Sequence, residues 1–273
     1  MLLGDPRSTT WQFEWAARSE CGLVRRENQD AYGVFADLGL FLVADGLGGH
    51  RGGQVASRMA IDVVRTALAS GLAENVTPVI GPGGLASTGA RRLLRAFEVA
   101  NASIWRAARD PERHGMGTTI VALLFDPDTD VAAVCHVGDS RMFRLRGDEI
   151  TQLTEDHTMV QRWVREGRIR PEEAAISPHR HVVTHAVGTQ VDVQPALHLE
   201  RPRVGDVLLL TSDGIHDSVT PAEMAAVVRA PTGGLEQACQ RLVDVADERG
   251  GADNATVVMV RVRECPPRTG PVA

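Results

Sequence analysis

The sequence predicts an α+β domain in which sheets pack on one another with helices outside, rather than a doubly wound parallel sheet. Three observations carry this. Apolar runs of strand length recur along the chain, longer amphipathic stretches repeat with a helical period, and the two kinds come in groups without strict βαβ alternation. With 273 residues, of which 43% are hydrophobic, one such domain has ample material for a core.

Taken in order, the first strand is expected at 40–44, where Leu-Phe-Leu-Val-Ala is apolar throughout. A helix over 53–72 follows, with Val55, Met59, Val63 and Ala67 on one face. Residues 71–90 collect seven Gly and Pro residues and read as a surface loop. A second helix over 90–109 sets Leu94, Phe97, Ala100 and Ile104 on one face. Strands are expected at 118–125, 131–137, 207–211 and 256–262, and further helices at 158–166, 221–228 and 235–247. One domain over 12–263 accounts for these elements. The Pro-rich tail, 264–273, and the first 11 residues read as flexible.

Composition excludes several classes of function. The formal charge of -6 argues against affinity for nucleic acid or an anionic membrane. All 29 basic residues are arginine, which removes any lysine nucleophile or Schiff base. The four cysteines stand far apart without a CxxC pair, so neither a zinc site nor a disulfide scaffold is indicated. With no signal-like N-terminal run and no window of about 18 apolar residues, a cytoplasmic protein is expected.

The informative pattern is where the aspartates fall. Asp45-Gly46 ends the 40–44 run, Asp213-Gly214 follows 207–211, Asp139 follows 131–137, and Asp253 stands just before 256–262. A lone Asp-Gly is ordinarily a turn. Four acids at strand lips are a different matter. If the lips converge, their mutual repulsion calls for cations, and an all-oxygen ligand set suits Mg²⁺ or Mn²⁺. Gly46 would let the backbone turn sharply enough to offer its carbonyl to the same ion. Two such ions about 3.5–4 Å apart would lower the pKa of a shared water and act as Lewis acids on a phosphoryl group. Upstream, Arg25 could fork two donors onto a phosphate, and Asp30 adds a fifth acid, although Arg25 to Asp30 alone would pass for a solvated charge run.

These residues fall into an ordered set of motifs: Arg25…Asn28-Gln29-Asp30, Val43-Ala44-Asp45-Gly46-Leu47-Gly48-Gly49-His50, Gly117-Thr118-Thr119, His136-Val137-Gly138-Asp139-Ser140-Arg141, Leu153-Thr154-Glu155-Asp156-His157, Thr211-Ser212-Asp213-Gly214 and Asp253-Asn254-Ala255-Thr256. Together they resemble the PP2C (PPM) family of metal-dependent protein phosphatases in its compact bacterial form. The resemblance implies a four-layer α-β-β-α sandwich of two antiparallel sheets with metals at one end. It also implies hydrolysis of phosphoserine and phosphothreonine in proteins, opposing Ser/Thr kinases. By position, Asp45 would bridge two core ions, the Gly46 carbonyl would bind the second, and Asp213 and Asp253 would complete the first. Asp30 would hold a metal water, Arg25 would take the substrate phosphate, and Asp139 with Asp213 would hold a looser third ion. The segment 157–188 matches the family's flap beside the cleft. Mn²⁺ or Mg²⁺ is the implied cofactor, and phosphoproteins are the implied partners of a monomer.

One position departs from the eukaryotic pattern. A histidine proposed as leaving-group acid follows the Asp-Gly there, and Leu47 stands in its place here. His50 and a water on a metal remain the two alternatives for that acid. His179, His181 and His185 are expected to be solvated flap residues rather than a zinc cluster, and His136 a hydrogen-bonded core residue.

Overall fold

The computed structural model describes residues 11–48, 52–71, 76–230 and 233–266. The chain opens with strands β1 (Gln12–Glu20), β2 (Asp30–Phe35) and β3 (Leu40–Leu47) and helix α1 (Gly52–Ala69). A short hairpin, β4 (Val79–Ile80) and β5 (Ala86–Ser87), leads to helix α2 (Thr88–Ala107). Strands β6 (Gly117–Thr118), β7 (Ile120–Phe125), β8 (Ala132–Val137), β9 (Arg141–Arg146) and β10 (Glu149–Gln152) come next. Two short helices, α3 (Met159–Arg165) and α4 (Pro171–Ala175), precede β11 (Ala196–Glu200) and β12 (Val207–Thr211). Helices α5 (Asp213–His216), α6 (Pro221–Arg229) and α7 (Gly234–Glu248) and strand β13 (Ala255–Glu264) complete the order.

Two antiparallel sheets result, one ordered β1-β13-β12-β9-β10 and the other β11-β8-β7-β3-β2. Their facing sides bury Phe41, Val43, Leu123, Leu208, Leu210, Val258 and Val260 in one core. Strictly alternating residues of the same strands point outwards. Leu40, Leu42 and Ala122 pack under α1 and α2, while Leu209, Val257 and Met259 pack under α6 and α7. Strands buried on both faces read as continuous apolar runs, which is why β3, β7, β8, β12 and β13 stand out in the sequence. The architecture is the expected four-layer α-β-β-α sandwich.

Several local expectations need correction. Helix α1 turns a different stripe inwards, burying Ala56, Ala60, Val64 and Ala67, while Val55, Met59 and Val63 are only partly buried. Small residues let the helix axis settle close to the sheet, so the bulkier neighbours flank the contact instead of filling it. The 118–125 run divides at Thr119, whose N–H donates to the Asp45 carbonyl (2.8 Å) and whose hydroxyl meets Ser140 Oγ (2.7 Å). Helix α2 starts at Thr88, because Ser87 Oγ accepts from Ala90 N (2.9 Å) and caps it. The β4–β5 hairpin lies within what reads as loop. The flexible termini expected from composition fall largely outside the described residues. Trp11 is described, with its ring against Phe125.

Candidate metal centre

The strand ends place the acids. Asp30 begins β2, and in the β2–β3 register it stands directly opposite Asp45. Like charges directly opposed on a sheet are unfavourable. Asp139 follows β8, Asp213 follows β12 and Asp253 precedes β13, all at the same end of the sandwich. The lips therefore converge. Asp45 is held well above the usual carboxylate range by burial and by the charges of Asp30, Asp213, Asp139 and Asp253. Asp213 is likewise held well above it, by burial and then by Asp139 and Asp253. Burial pushes Asp30 up to about 6, against hydrogen bonds from Thr256 and Ser212. Burial and the charge of Asp156 push Asp139 up to about 7.

Hydrogen bonding within the fold leaves these acids underused. Asp30 Oδ2 accepts from Ser212 Oγ (2.7 Å), yet Asp30 Oδ1 and Asp213 Oδ1 are buried with no hydrogen-bond partner. Buried unsatisfied oxygens among mutually repelling carboxylates are costly unless a cation completes them. Hard oxygen donors of this kind fit Mg²⁺ or Mn²⁺. The donor set thus suits the implied ions.

Gly46 is required for a reason other than a sharp turn. It lies inside β3 opposite Thr118, outside the left-handed region, and a Cβ there would overlap the Gly53 carbonyl in the first turn of α1. Gly214 is constrained similarly, since its Cβ would overlap the Asn254 carbonyl. Both Asp-Gly pairs are therefore close backbone crossings.

Arg25 reaches the centre and is already engaged. Its Nη2 lies 2.5 Å from Asp253 Oδ2, and the side chain is more than half exposed. One donor of the fork is spent on the acid, leaving others for an anion. The remaining expected residue, His50, lies outside the described residues.

Sequence reasoning missed the residues that hold the frame. Asn254 donates to the carbonyls of Cys21 (2.9 Å) and Glu27 (3.1 Å) and accepts from Gln29 N (2.8 Å), tying the Arg25 loop to the start of β13. Asn28 accepts from Asp30 N (3.0 Å) and donates to Ser19 Oγ (2.9 Å). Thr118 Oγ1 donates to the Asp45 carbonyl (2.7 Å), which fixes the lip of β3. The signal was their place inside the acidic motifs. His136 is the expected core residue, 5% exposed with its ring nitrogen 2.8 Å from the Glu155 carbonyl. His157, whose ring lies tilted against it with centroids 4.8 Å apart, is lowered to about 4 by burial and by His136 and His185.

A double-sheet sandwich with converging acids at one end agrees with the family comparison. The protein phosphatase 2C model matches residues 24–250, and the chain belongs to that family. It is 39% identical over 253 residues to the serine/threonine protein phosphatase PstP of Mycobacterium tuberculosis, covering 93% of this chain and 46% of the relative. The chain thus spans about half the length of that relative. Protein phosphatase PhpP of Streptococcus pneumoniae is 31% identical over 255 residues, covering 92% of this chain and 98% of PhpP. Among solved structures, the catalytic domain of PstP in complex with two manganese ions superposes with a TM-score of 0.77 at 34% identity, covering 93% of this chain and 100% of that one.

Proposed function

We propose that this chain is a metal-dependent phosphatase that hydrolyses phosphoserine and phosphothreonine monoesters in proteins, opposing bacterial Ser/Thr kinases. The observation that carries the reading is the convergence of Asp30, Asp45, Asp139, Asp213 and Asp253, two of them with buried, unpartnered oxygens, in a chain of this family. Asp45 would bridge two core ions, with the Gly46 carbonyl on the second and Asp213 and Asp253 on the first. Asp139 and Asp213 would share a weaker third ion. Bound ions would supply Lewis acidity to the phosphoryl group and lower the pKa of a shared water. Asp30, through its free Oδ1, would orient the attacking water. Arg25, held in place by Asp253, would turn its remaining donors to the substrate phosphate. The leaving-group acid stays open between His50 and a water.

Mn²⁺ bound to the PstP catalytic domain supports that ion here, with Mg²⁺ as the alternative. We place the protein in the cytoplasm as a monomer with phosphoproteins as partners. Four unpaired thiols support the compartment, and among the described residues no helix is long and apolar enough to cross a membrane. Phosphate release from a phosphothreonine peptide with Mn²⁺, set beside release from free phosphometabolites, tests the reading. The peptide is expected to be hydrolysed much faster. Faster metabolite hydrolysis would make the chain a small-molecule phosphoesterase, and no release would make it a phosphoprotein-binding regulator.

A further inference from the structure

The turn between β1 and β2 is stapled to the backbone that leads into β13. Gly22, at φ +74°, passes so close that a Cβ there would overlap the Asp253 carbonyl. Leu23 N and Val24 N both donate to the Gly251 carbonyl (2.8 and 3.2 Å). Asn254 grips both ends of the turn through the Cys21 and Glu27 carbonyls. Arg25 leaves the same turn to meet Asp253. The backbone from Cys21 to Glu27 is therefore fixed beside the metal centre.

This fixed turn holds apolar side chains out into solvent. Leu23 is 69% exposed and Val24 67%. Single exposed apolar residues are ordinary on a folded protein. Among the described residues, however, these are the only two large exposed hydrophobics adjacent in sequence. They also directly precede the arginine proposed to take the substrate phosphate. A phosphate seated on the Arg25 fork would bring the next residues of a peptide substrate close by, since consecutive Cα atoms stand only about 3.8 Å apart. An apolar side chain there would leave water together with Leu23 and Val24, which is favourable whatever the charge of the site. A free phosphometabolite offers the pair nothing comparable.

We propose that Leu23 and Val24 form a shelf that selects phosphosites with an apolar residue next to the phosphorylated serine or threonine. The inference rests on the phosphatase reading above and adds to it a sequence preference in the substrate. A contact made equally in the bound substrate and in the transition state acts on KM rather than on kcat.

Turnover of two phosphothreonine peptides by the full chain with Mn²⁺ tests the shelf. One carries leucine on both sides of the phosphothreonine and the other glutamine, which changes apolarity without changing charge. KM is expected to be about tenfold lower for the leucine peptide, at similar kcat. Leu23→Ser and Val24→Ser should each shrink the difference, and the double variant should erase it. p-Nitrophenyl phosphate has no flanking residues, so its KM reports whether Arg25 still stands in place, and it should not move. Leu23→Glu should go further and favour a peptide flanked by arginine. Equal KM for the two peptides in the wild type, or a preference that survives the double variant, overturns the shelf while leaving a working phosphatase. An equal rise in KM for p-nitrophenyl phosphate would also overturn it, making the pair a prop for Arg25. So would a dimer seen by sedimentation that the double variant dissolves, which would make the pair a contact between copies. A wild type that releases phosphate from none of these substrates overturns the phosphatase reading, and the shelf with it.

Discussion

The two ends of the sandwich treat the same side chain in opposite ways. At the far end, Asp206 is 2% exposed and accepts from Arg146 Nη2 (2.7 Å), Arg146 Nε (2.9 Å) and Arg203 N (2.8 Å). Glu200 meets Arg144 at 3.0 Å, and Asp130 meets Arg201 at 2.8 Å. Although burial works against its charge, hydrogen bonds from His198 and Arg144 hold Glu200 down to about 2. At the site end, among the described residues, the acids outnumber their cations, and Asp30, Asp45, Asp139 and Asp213 are all raised. Structural carboxylates carry their cationic partners in the sequence, whereas those proposed to hold an ion are left to repel one another.

The largest effect should come from swapping charge for amide at each end. Asp45→Asn should lower kcat by orders of magnitude, with Asp213→Asn and Asp253→Asn close behind, while the metal-free protein keeps or gains stability. Asp206→Asn should do the reverse, costing about 3 kcal/mol of stability with little change in kcat of the folded fraction. Denaturant melts and phosphopeptide turnover read both. Near-normal turnover of Asp45→Asn at saturating Mn²⁺ would break the comparison.

A smaller effect concerns pH. Asp30 and Asp139 titrate near 6 and 7 in the metal-free fold, above the unfolded value of about 3.9. The folded state therefore binds more protons than the unfolded one across that interval, so this contribution to stability falls as pH rises from about 4 to 7. Saturating Mn²⁺ should cancel the loss, since it binds the ionised forms. The difference in Tm between wild type and Asp139→Asn, measured in chelator across that range, isolates it. A difference that stays constant with pH would leave Asp139 an ordinary acid.

The smallest effect is expected at Arg25, which is exposed and shares its charge with Asp253. Arg25→Ala should mainly raise KM for phosphopeptide, and Arg25→Lys should recover only part, lacking the fork. An unchanged KM would reduce Arg25 to a surface partner of Asp253.

Legibility followed the same division. Strands buried on both faces announced themselves, and each acid expected at a strand lip stands at the site end. Strand β9 was hidden because Arg141, Arg144 and Arg146 interrupt its apolar residues, and only their partners Asp156, Glu200 and Asp206 make that burial tolerable. β1 was hidden too, since Trp15 on it is 48% exposed and its pattern is that of an edge. Asn254 and Asn28 could not be assigned roles because most of their partners are backbone carbonyls and amides, to which a residue pattern is blind. His181 reads as solvent-facing in a polar loop, and only the returning path of its segment sets it beside Asp217.

The pairing of β1 with β13 reaches from Gln12 to Glu264, the two ends of the described chain. During synthesis, β2, β3, β7 and β8 with α1 and α2 emerge together and form one half-sandwich from contacts of modest separation. The other sheet must wait, because β13, which joins β1 to β12, comes after every other described strand in the chain. Asp253 arrives on that strand's leading edge, so the crowding of acids is postponed until the remaining structure is in place to bear it.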